Sequence, residues 1–600
     1  MSGLLFNPKT YNPTHLDEES ARQLLALVDF FETKGKAKLK DEYHAAQWYT
    51  DFMEFIAKEN LFSNVAIPAE VGALDEVKHP GAAWDLRRIN DLNEILGFYS
   101  LDHWYAWQVT VLGLGPVWTS SNTKAKALVA NLLKEGGIFG FGLSEQTHGA
   151  DIYSTDMIVR PNPDGEGWLA SGPKYYIGNG NEAARLAVFG KFSDDDPERP
   201  GEYVFFLADP KAPQYELQKN VVHGTMYVSA FELHDYPVTE DDILHTGKPA
   251  WDAALAAINV GKVNLGWAST GIAEHSFYEA LDHAYNRVLF DKRVTDFTHV
   301  KRILADAYSR LIGMKLYAPR SADYFRSSTP EDRRFLLFNP ITKMKVTMEG
   351  ERVIDLLWDV IAARGFEKDT YFEQAVHHIR ALPKLEGTVH VNLALVLKFL
   401  PQYLGAAAGF GSDHPEIHAR MDHKDDEYLF KQGSASGLSQ IGFHNPKPAF
   451  ERFKDLPNVA IFIEQMTAFG QLIATQAPTK EQSDDLDFLL SIGQLFTLVV
   501  YAQLILESAA LAIDDAPGGK RETSVSDMSG LTEAHIDRVF QVYVRDFSEY
   551  ALSLAGQPTA TNEQREGAQG LIRHAHRDQA AEDVFYSEVI AQADAYKMNP

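Results

Sequence analysis

Apolar residues recur at helical spacing, near 3.6, over Leu16-to-Glu32, Glu42-to-Glu59 and Thr123-to-Lys134, with Gly and Pro clusters between them. The pattern predicts a helical first segment over residues 15–135, in which the Trp- and Tyr-rich stretch Leu101 to Trp118 is mostly core. The period shortens near Ile138. From there to Leu244 short β-type runs dominate, namely Phe139–Leu143, Trp168–Ala170, Ala187–Lys191, Tyr203–Ala208 and Ala230–His234. Turn clusters such as Pro163-Asp164-Gly165 separate them, which predicts a small antiparallel β domain. Long helical periods return from Trp251 to Gly405. Ala253-to-Arg287 and Thr298-to-Ala318 are long enough to be antiparallel neighbours in a bundle. Residues 406–445, rich in Gly, Ser, His and Asp, read as a linker or surface excursion, and Pro446 to Lys597 is helical again. The predicted fold class is α+β, mostly α. Its parts are an N-terminal helical domain (1–135), a β domain (136–248), a helical bundle (249–410) and a linker with an extra helical domain (411–600).

Composition narrows the picture in three places. A formal charge of −27 argues against a nucleic-acid partner, because binding to phosphate backbones needs Lys and Arg to displace counterions. The absence of cysteine removes disulfides and thiolate chemistry and suits a reducing, cytoplasmic compartment. The longest uncharged run, Leu489 to Leu506, is broken by Ser491, Gly493, Gln494 and Gln503, so a buried helix is expected there rather than a membrane span. Met1 to Thr10 lacks a basic region followed by an apolar one, so no secretory signal is expected.

The common nucleotide and zinc signatures GxGxxG, GxxxxGK[ST] and HExxH are missing. Adjacent His377 and His378 point about 100° apart on a helix and do not suit one metal. Two stretches stand out. Gly142-Leu-Ser-Glu-Gln-Thr-His-Gly-Ala-Asp151 and Gly172-Pro-Lys-Tyr-Tyr-Ile-Gly-Asn-Gly180 place Gly, Asn and hydroxyl residues at strand ends. There, free backbone N–H groups bind a polar ring system or simply close β-turns. Leu385-Glu-Gly-Thr388 sets a carboxylate before the apolar helical run Val389-to-Leu400, either as a site or as a surface glutamate. Thr388 is the expected N-cap, and the helix-end potential is expected to keep Glu386 ionised.

In their order and spacing these motifs resemble the acyl-CoA dehydrogenase superfamily. GLSEQTHGAD is similar to the family's TEP-x-AGSD flavin loop, and GPKYYIGNG to its G-x-KxWITNG strand. Arg287, Phe290 and Phe297-Thr298 resemble R-x-x-FG…FQ. Arg364-Gly365-Phe366 resembles the end of GGxGY, with Glu386 twenty residues beyond Phe366 as in the family. The resemblance covers roughly residues 90–400.

It implies FAD bound between the β domain and the helical bundle. Flavin contacts would come from Leu143, Ser144, Gly149, Ala150, Tyr176, Gly178, Arg287, Phe290, Thr298, Asp359, Arg364, Gly365 and Thr388. Ala150, Glu386 and Gly387 would meet the substrate. It further implies α,β-dehydrogenation of an acyl-CoA in fatty acid metabolism or β-oxidation, with Glu386 as the base and electrons passed to electron-transfer flavoprotein. Other members place their base at a position that aligns with Gly261, which has no side chain.

Several positions depart from the pattern. Ser144 stands for Thr, Tyr176 for Trp, Gly178 for Thr, Ala150 for Ser, Thr298 for Gln, and Asp359 with Ala362-Ala363 for Gln and Gly-Gly. The block after residue 410 resembles the extra helical domain of long members, such as very-long-chain dehydrogenases, and implies a homodimer. An acyl-CoA oxidase remains the close alternative, and a non-catalytic or DNA-associated relative a more distant one. Monooxygenase-type relatives lack a base at this place, and the retained Glu386 counts against them.

Overall fold

The computed structural model describes residues 4–405, 425–426, 430–432, 437–513 and 528–600. Most of the stretch read as a linker, residues 406–424, 427–429 and 433–436, lies outside them.

The N-terminal part holds α1 (Glu18–His44), α2 (Thr50–Glu59), α3 (Leu61–Ala66), α4 (Ala69–Gly72), α5 (Leu86–Tyr99), α6 (Leu101–Thr119) and α7 (Thr123–Lys134). Helices α5 and α6 are buried over almost their whole length, although only α6 is apolar nearly all round and α5 also buries Arg87, Arg88, Asn90, Asp91, Asn93 and Glu94. That burial gives a surrounded helix rather than an amphipathic surface one. Both pack on α8 (Lys248–Asn286), the 39-residue axis of the bundle.

Eight strands intervene: β1 (Phe139–Gly142), β2 (Ile158–Pro161), β3 (Trp168–Gly178), β4 (Arg185–Phe192), β5 (Tyr203–Ala208), β6 (Tyr215–Asn220), β7 (Val228–Val238) and β8 (Ile243–Thr246). They form one sheet, in which the expected antiparallel pairing dominates with one correction. Strands β1 and β2 both run parallel to β4 and share one of its edges in turn. The first ends at Gly142 opposite Val188 and the second begins at Ile158 opposite Lys191. The chain between them, carrying the Gly-rich stretch, leaves the sheet at this handover.

Period-two alternation buries both faces of the central strands. Leu186, Val188, Val204 and Phe206 join a core internal to the β domain, whereas Ala187, Phe189, Phe205 and Leu207 join the helical core.

The bundle continues with α9 (Thr298–Arg326), which runs on through Pro319, and α10 (Phe335–Ile341). A single π turn at Thr342–Val346 leads into α11 (Thr347–Ile361). Then come α12 (Tyr371–Ile379), α13 (Val389–Leu397) and α14 (Leu400–Leu404). The last segment holds α15 (Lys447–Glu451), α16 (Pro457–Thr475), α17 (Leu486–Ile513), α18 (Glu533–Ala555), α19 (Asn562–Gln569) and α20 (Gln579–Ile590). Helix α17 is long and apolar enough to cross a membrane, but 89% of its most apolar window is buried inside the protein, against α9, α13 and α18. It is a core helix, as its interrupting polar residues predict.

Candidate active site

Helix α12 ends at Ile379. A short turn through Pro383 then brings the chain to Glu386 and Gly387, which take φ of 51° and 85°. Gly387 adopts the left-handed region freely, but a glutamate there is strained by about 1 kcal/mol or more and must be held by its surroundings. Thr388 caps α13 by accepting from Val391 N–H at 3.4 Å, as expected. The Asn392 side chain donates to the carbonyls of Gly387 (3.0 Å) and Thr388 (2.9 Å). From the π turn, the Lys343 ammonium donates to Pro383 O at 2.6 Å and also to Gly387 O. One buried cation thus grips the loop on both sides of Glu386. A π turn inserts one residue into a helical register, and here it aims Lys343 at the loop.

The Glu386 carboxylate accepts from Gln108 Nε2 of α6 at 3.4 Å, its one side-chain hydrogen bond among the described residues. Gly261 of α8 lies opposite. A methyl group at that position would stand 2.7 Å from Leu112 Cδ2, 2.9 Å from Gln108 Nε2 and 3.6 Å from Glu386 Cδ. Glycine therefore leaves the room that Glu386 and its donor occupy. Burial pushes the Glu386 carboxyl up to about 7, against the opposing pull of Gln108, Lys262 and Lys343. Burial works against the helix-end potential expected to keep this group ionised, and loss of solvent outweighs Gln108 and the two lysines. Burial also pushes Lys262, beside Gly261, down to about 8 and Lys343 down to about 7. A carboxyl and two ammonium groups therefore titrate near neutrality in one place, as acid–base chemistry requires.

Helix α6 joins Glu386 to the β domain. A side chain at Gly178, the last residue of β3, would meet Val109 Cγ2 at 2.4 Å and Tyr105 Cε1 at 2.7 Å. The threonine expected from the resemblance has no space here because α6 fills it. One turn of α6 thus touches β3 through Tyr105 and Val109, and Glu386 through Gln108. Trp104 and Trp107 are fully buried core.

Two residues before Gly178, the register slips between Tyr175 and Ile177, and Tyr176 bulges out with φ 64° and a ring 61% exposed. On the neighbouring loop Leu143 is buried and Ser144 partly so, and the Ser144 carbonyl accepts from Tyr175 N–H at 3.0 Å. Gly149 and Ala150 lie open. Beneath the loop, Lys174 pairs with Glu145 at 2.6 Å and donates to Leu143 O at 3.1 Å, tying the loop to β3.

The remaining expected contacts lie elsewhere on the surface. Arg287, Phe290, Thr298 and Asp359 are exposed, and Phe290 (89%) and Phe366 (69%) present bare rings. Arg287 and Arg364 line one cavity of about 360 Å³ together with Lys36, His283 and Lys597 and with the carboxylates Glu279 and Asp282, which pair with the two lysines. Gly365 is buried behind it. Gln108, Lys262, Lys343 and the Lys174–Glu145 pair were missed by the sequence reading. Only Lys262 offered a local signal, a lysine inside an apolar helix beside the glycine that faces Glu386.

Residues 251–400 match the family model described as acyl-CoA dehydrogenase, C-terminal domain. This stretch holds Gly261, Lys262, Lys343 and Glu386. Over this stretch the chain is similar to the acyl-CoA dehydrogenase superfamily. Among curated relatives, the short-chain-specific acyl-CoA dehydrogenase of Megasphaera elsdenii is 24% identical over 282 residues, 46% of this chain and 72% of the relative. The mouse very long-chain specific enzyme is 21% identical over 464 residues, covering 72% and 67%. Among solved structures, an acyl-CoA dehydrogenase complexed with FAD from Bacillus anthracis shares the fold over 99% of this chain and 97% of its own (TM-score 0.69, 14% identity). That span includes the last helical segment. Butyryl-CoA dehydrogenase from Megasphaera elsdenii matches 64% of this chain at TM-score 0.55 and 18% identity.

FAD is the cofactor of the superfamily, and the residues present suit it. The exposed Tyr176 ring offers a face for an isoalloxazine, and the exposed backbone at Ala150 offers hydrogen bonds. The arginines lining the Arg287–Arg364 cavity match the fork geometry that pyrophosphate oxygens accept.

Proposed function

We propose that this superfamily oxidoreductase removes the α and β hydrogens of an acyl-CoA thioester, giving the trans-2-enoyl-CoA, with Glu386 as the base. The observation that supports this most is the carboxyl of Glu386, held on a strained loop and pushed up to about 7 by burial. An α C–H beside a thioester carbonyl is a weak acid, so a base desolvated to a higher proton affinity takes it more readily. The backbone N–H of Glu386 is the chain's own donor to the thioester carbonyl, and Glu386 accepts the α proton. FAD, when bound, supplies the two-electron acceptor for the β hydrogen as hydride. Tyr176, Ser144 and the open backbone at Ala150 orient it, and α6 keeps water from the Glu386 side.

Electron-transfer flavoprotein as acceptor, a cytoplasmic setting and a role in β-oxidation belong to the same proposal. So does a homodimer, supported by the exposed rings of Phe290 and Phe366 beside the Arg287–Arg364 cavity. A particle mass from solution scattering twice that of the chain is expected, and a tetramer would refute it.

The test is an anaerobic titration of the yellow protein with short-, medium- and long-chain acyl-CoA. Absorbance near ~450 nm is expected to bleach with at least one of them. No bleaching across the panel overturns the reaction. Rapid recovery with peroxide release on admitting air favours the oxidase.

A further inference from the structure

Four buried side chains from three helices lie in a line that ends on Glu386. The Trp104 indole N–H donates to Asn93 Oδ1 at 2.7 Å. Asn93 Nδ2 donates to Asn264 Oδ1 at 2.9 Å and to Ile89 O at 2.7 Å. Asn264 Nδ2 donates to Gln108 Oε1 at 2.9 Å. Gln108 Nε2 donates to Gly261 O at 3.2 Å and to Glu386 Oε1 at 3.4 Å. Trp104, Asn93 and Asn264 are fully buried and Gln108 is 1% exposed, so water cannot substitute for a lost partner.

The order of these bonds has a direction. An indole nitrogen only donates, so Asn93 must face it with oxygen. That turns the Asn93 amide nitrogen toward Asn264, which must therefore receive it with oxygen, and the same logic passes on to Gln108. At the far end Gly261 O and the carboxylate only accept. Reversing one amide would set donor against donor and oxygen against oxygen at both its neighbours. Reversing all three would leave an N–H₂ facing an N–H at Trp104 and two oxygens facing each other at Glu386. Trp104 and Gly261 O thus fix the chain from its two ends, and an amide is always presented to the base nitrogen-first.

We propose that Gln108 is a positioning residue for Glu386, and that Trp104, Asn93 and Asn264 hold it there as a one-way hydrogen-bond chain. The proposal rests on the role assigned to Glu386 above. Gln108 pins Oε1 and leaves the second carboxylate oxygen free to receive the α proton. It also favours the ionised form, opposing burial.

The experiment compares Gln108→Met, Asn264→Leu and Trp104→Phe with the parent, each checked for bound FAD and for its thermal midpoint. Two readouts follow Glu386. One is the pH dependence of anaerobic flavin reduction by saturating acyl-CoA. The other is the titration of the Glu386 carboxyl by infrared difference spectroscopy against Glu386→Gln without substrate. Gln108→Met is expected to raise the proton affinity of Glu386 about tenfold and to slow reduction about tenfold even at high pH. Asn264→Leu should move the titration the same way by about threefold, and Trp104→Phe, which deletes one N–H on the far side of two amides, by about twofold. An unmoved titration in Gln108→Met overturns the positioning role. A shift in Gln108→Met alone, with Asn264→Leu and Trp104→Phe at the parent value, overturns the chain. If Asn264→Leu does not fold, Trp104→Phe decides. Absence of substrate-driven reduction in the parent would refute the proposed reaction instead, and the infrared titration still tests the chain.

Discussion

Two lysines of a single π turn, Lys343 and Lys345, sit two residues apart and are both buried, yet their proton affinities move in opposite directions. Lys345 is paired with Glu349, which with Asp546 also holds Arg310 at 2.8 Å. These partners more than repay burial: Lys345 and Arg310 are raised, and Glu349 and Asp546 are lowered. Lys343 instead spends its hydrogen bonds on the carbonyls of Pro383 and Gly387 and falls to about 7, while nearby Glu386 rises to about 7. The buried charges of this cluster are neutralised by contact and become fixed. At the active site opposite charges are near but not in contact, so protons remain exchangeable at neutral pH.

This contrast can be broken from either side. The largest effect is expected from Glu386→Gln, which should keep bound FAD yet slow acyl-CoA-driven bleaching by about four orders of magnitude. Near-parental bleaching would remove Glu386 as the base. On the scaffold side, Arg310→Met leaves Asp546 and Glu349 buried without their shared partner and should lower stability by about 3–5 kcal/mol. A urea midpoint equal to the parent's would show that the cluster is not neutralised by Arg310.

A third effect carries a pH sign. A carboxyl whose folded value lies near 7, above an ordinary 4.5, makes the folded state bind more protons than the unfolded one between those values. Stability therefore falls as pH rises through that window, by about 3 kcal/mol at most, and the loss is complete above 7. Glu386→Gln should thus be more stable than the parent at pH 8 and no different at pH 4. Equal unfolding midpoints at pH 8 would contradict a desolvated carboxyl. The smallest effect is that of Lys343→Met, which frees the loop at Pro383 and Gly387. Bleaching should slow about tenfold and its acid limb should move to higher pH, with a smaller loss of stability than in Arg310→Met because no ion pair is broken. A large fall in melting temperature would place Lys343 with the scaffold lysines.

Glu386 was legible as a candidate because it sits in a local motif at a fixed distance from another, and the facing glycine lies in a helix that periodicity alone identifies. The burial that opposes its ionisation was not legible, since a helix-end argument uses only neighbours along the chain, whereas Gln108, Gly261 and Leu112 supply the burial from α6 and α8. The amides at 93, 108 and 264 have no shared spacing, so no pattern connects them before the helices pack. Helices α8 and α9 were found nearly whole, although the reading stopped α9 at Ala318 ahead of Pro319. Strand β6 was missed because four of its six residues are exposed and its polar sequence lacks the alternation that marks a half-buried strand.

The handover on the edge of β4 gives the Gly-rich loop between Gly142 and Ile158 an unusual freedom. A loop that interrupts a strand must break ladder bonds whenever its length changes. Here the edge is simply shared by two short strands with an excursion between them, and neither register depends on how many residues that excursion holds. Insertions or deletions between Gly142 and Ile158 can therefore reshape the mouth of the site while the sheet, and with it the seat of Tyr176 and Gly178, stays as it is.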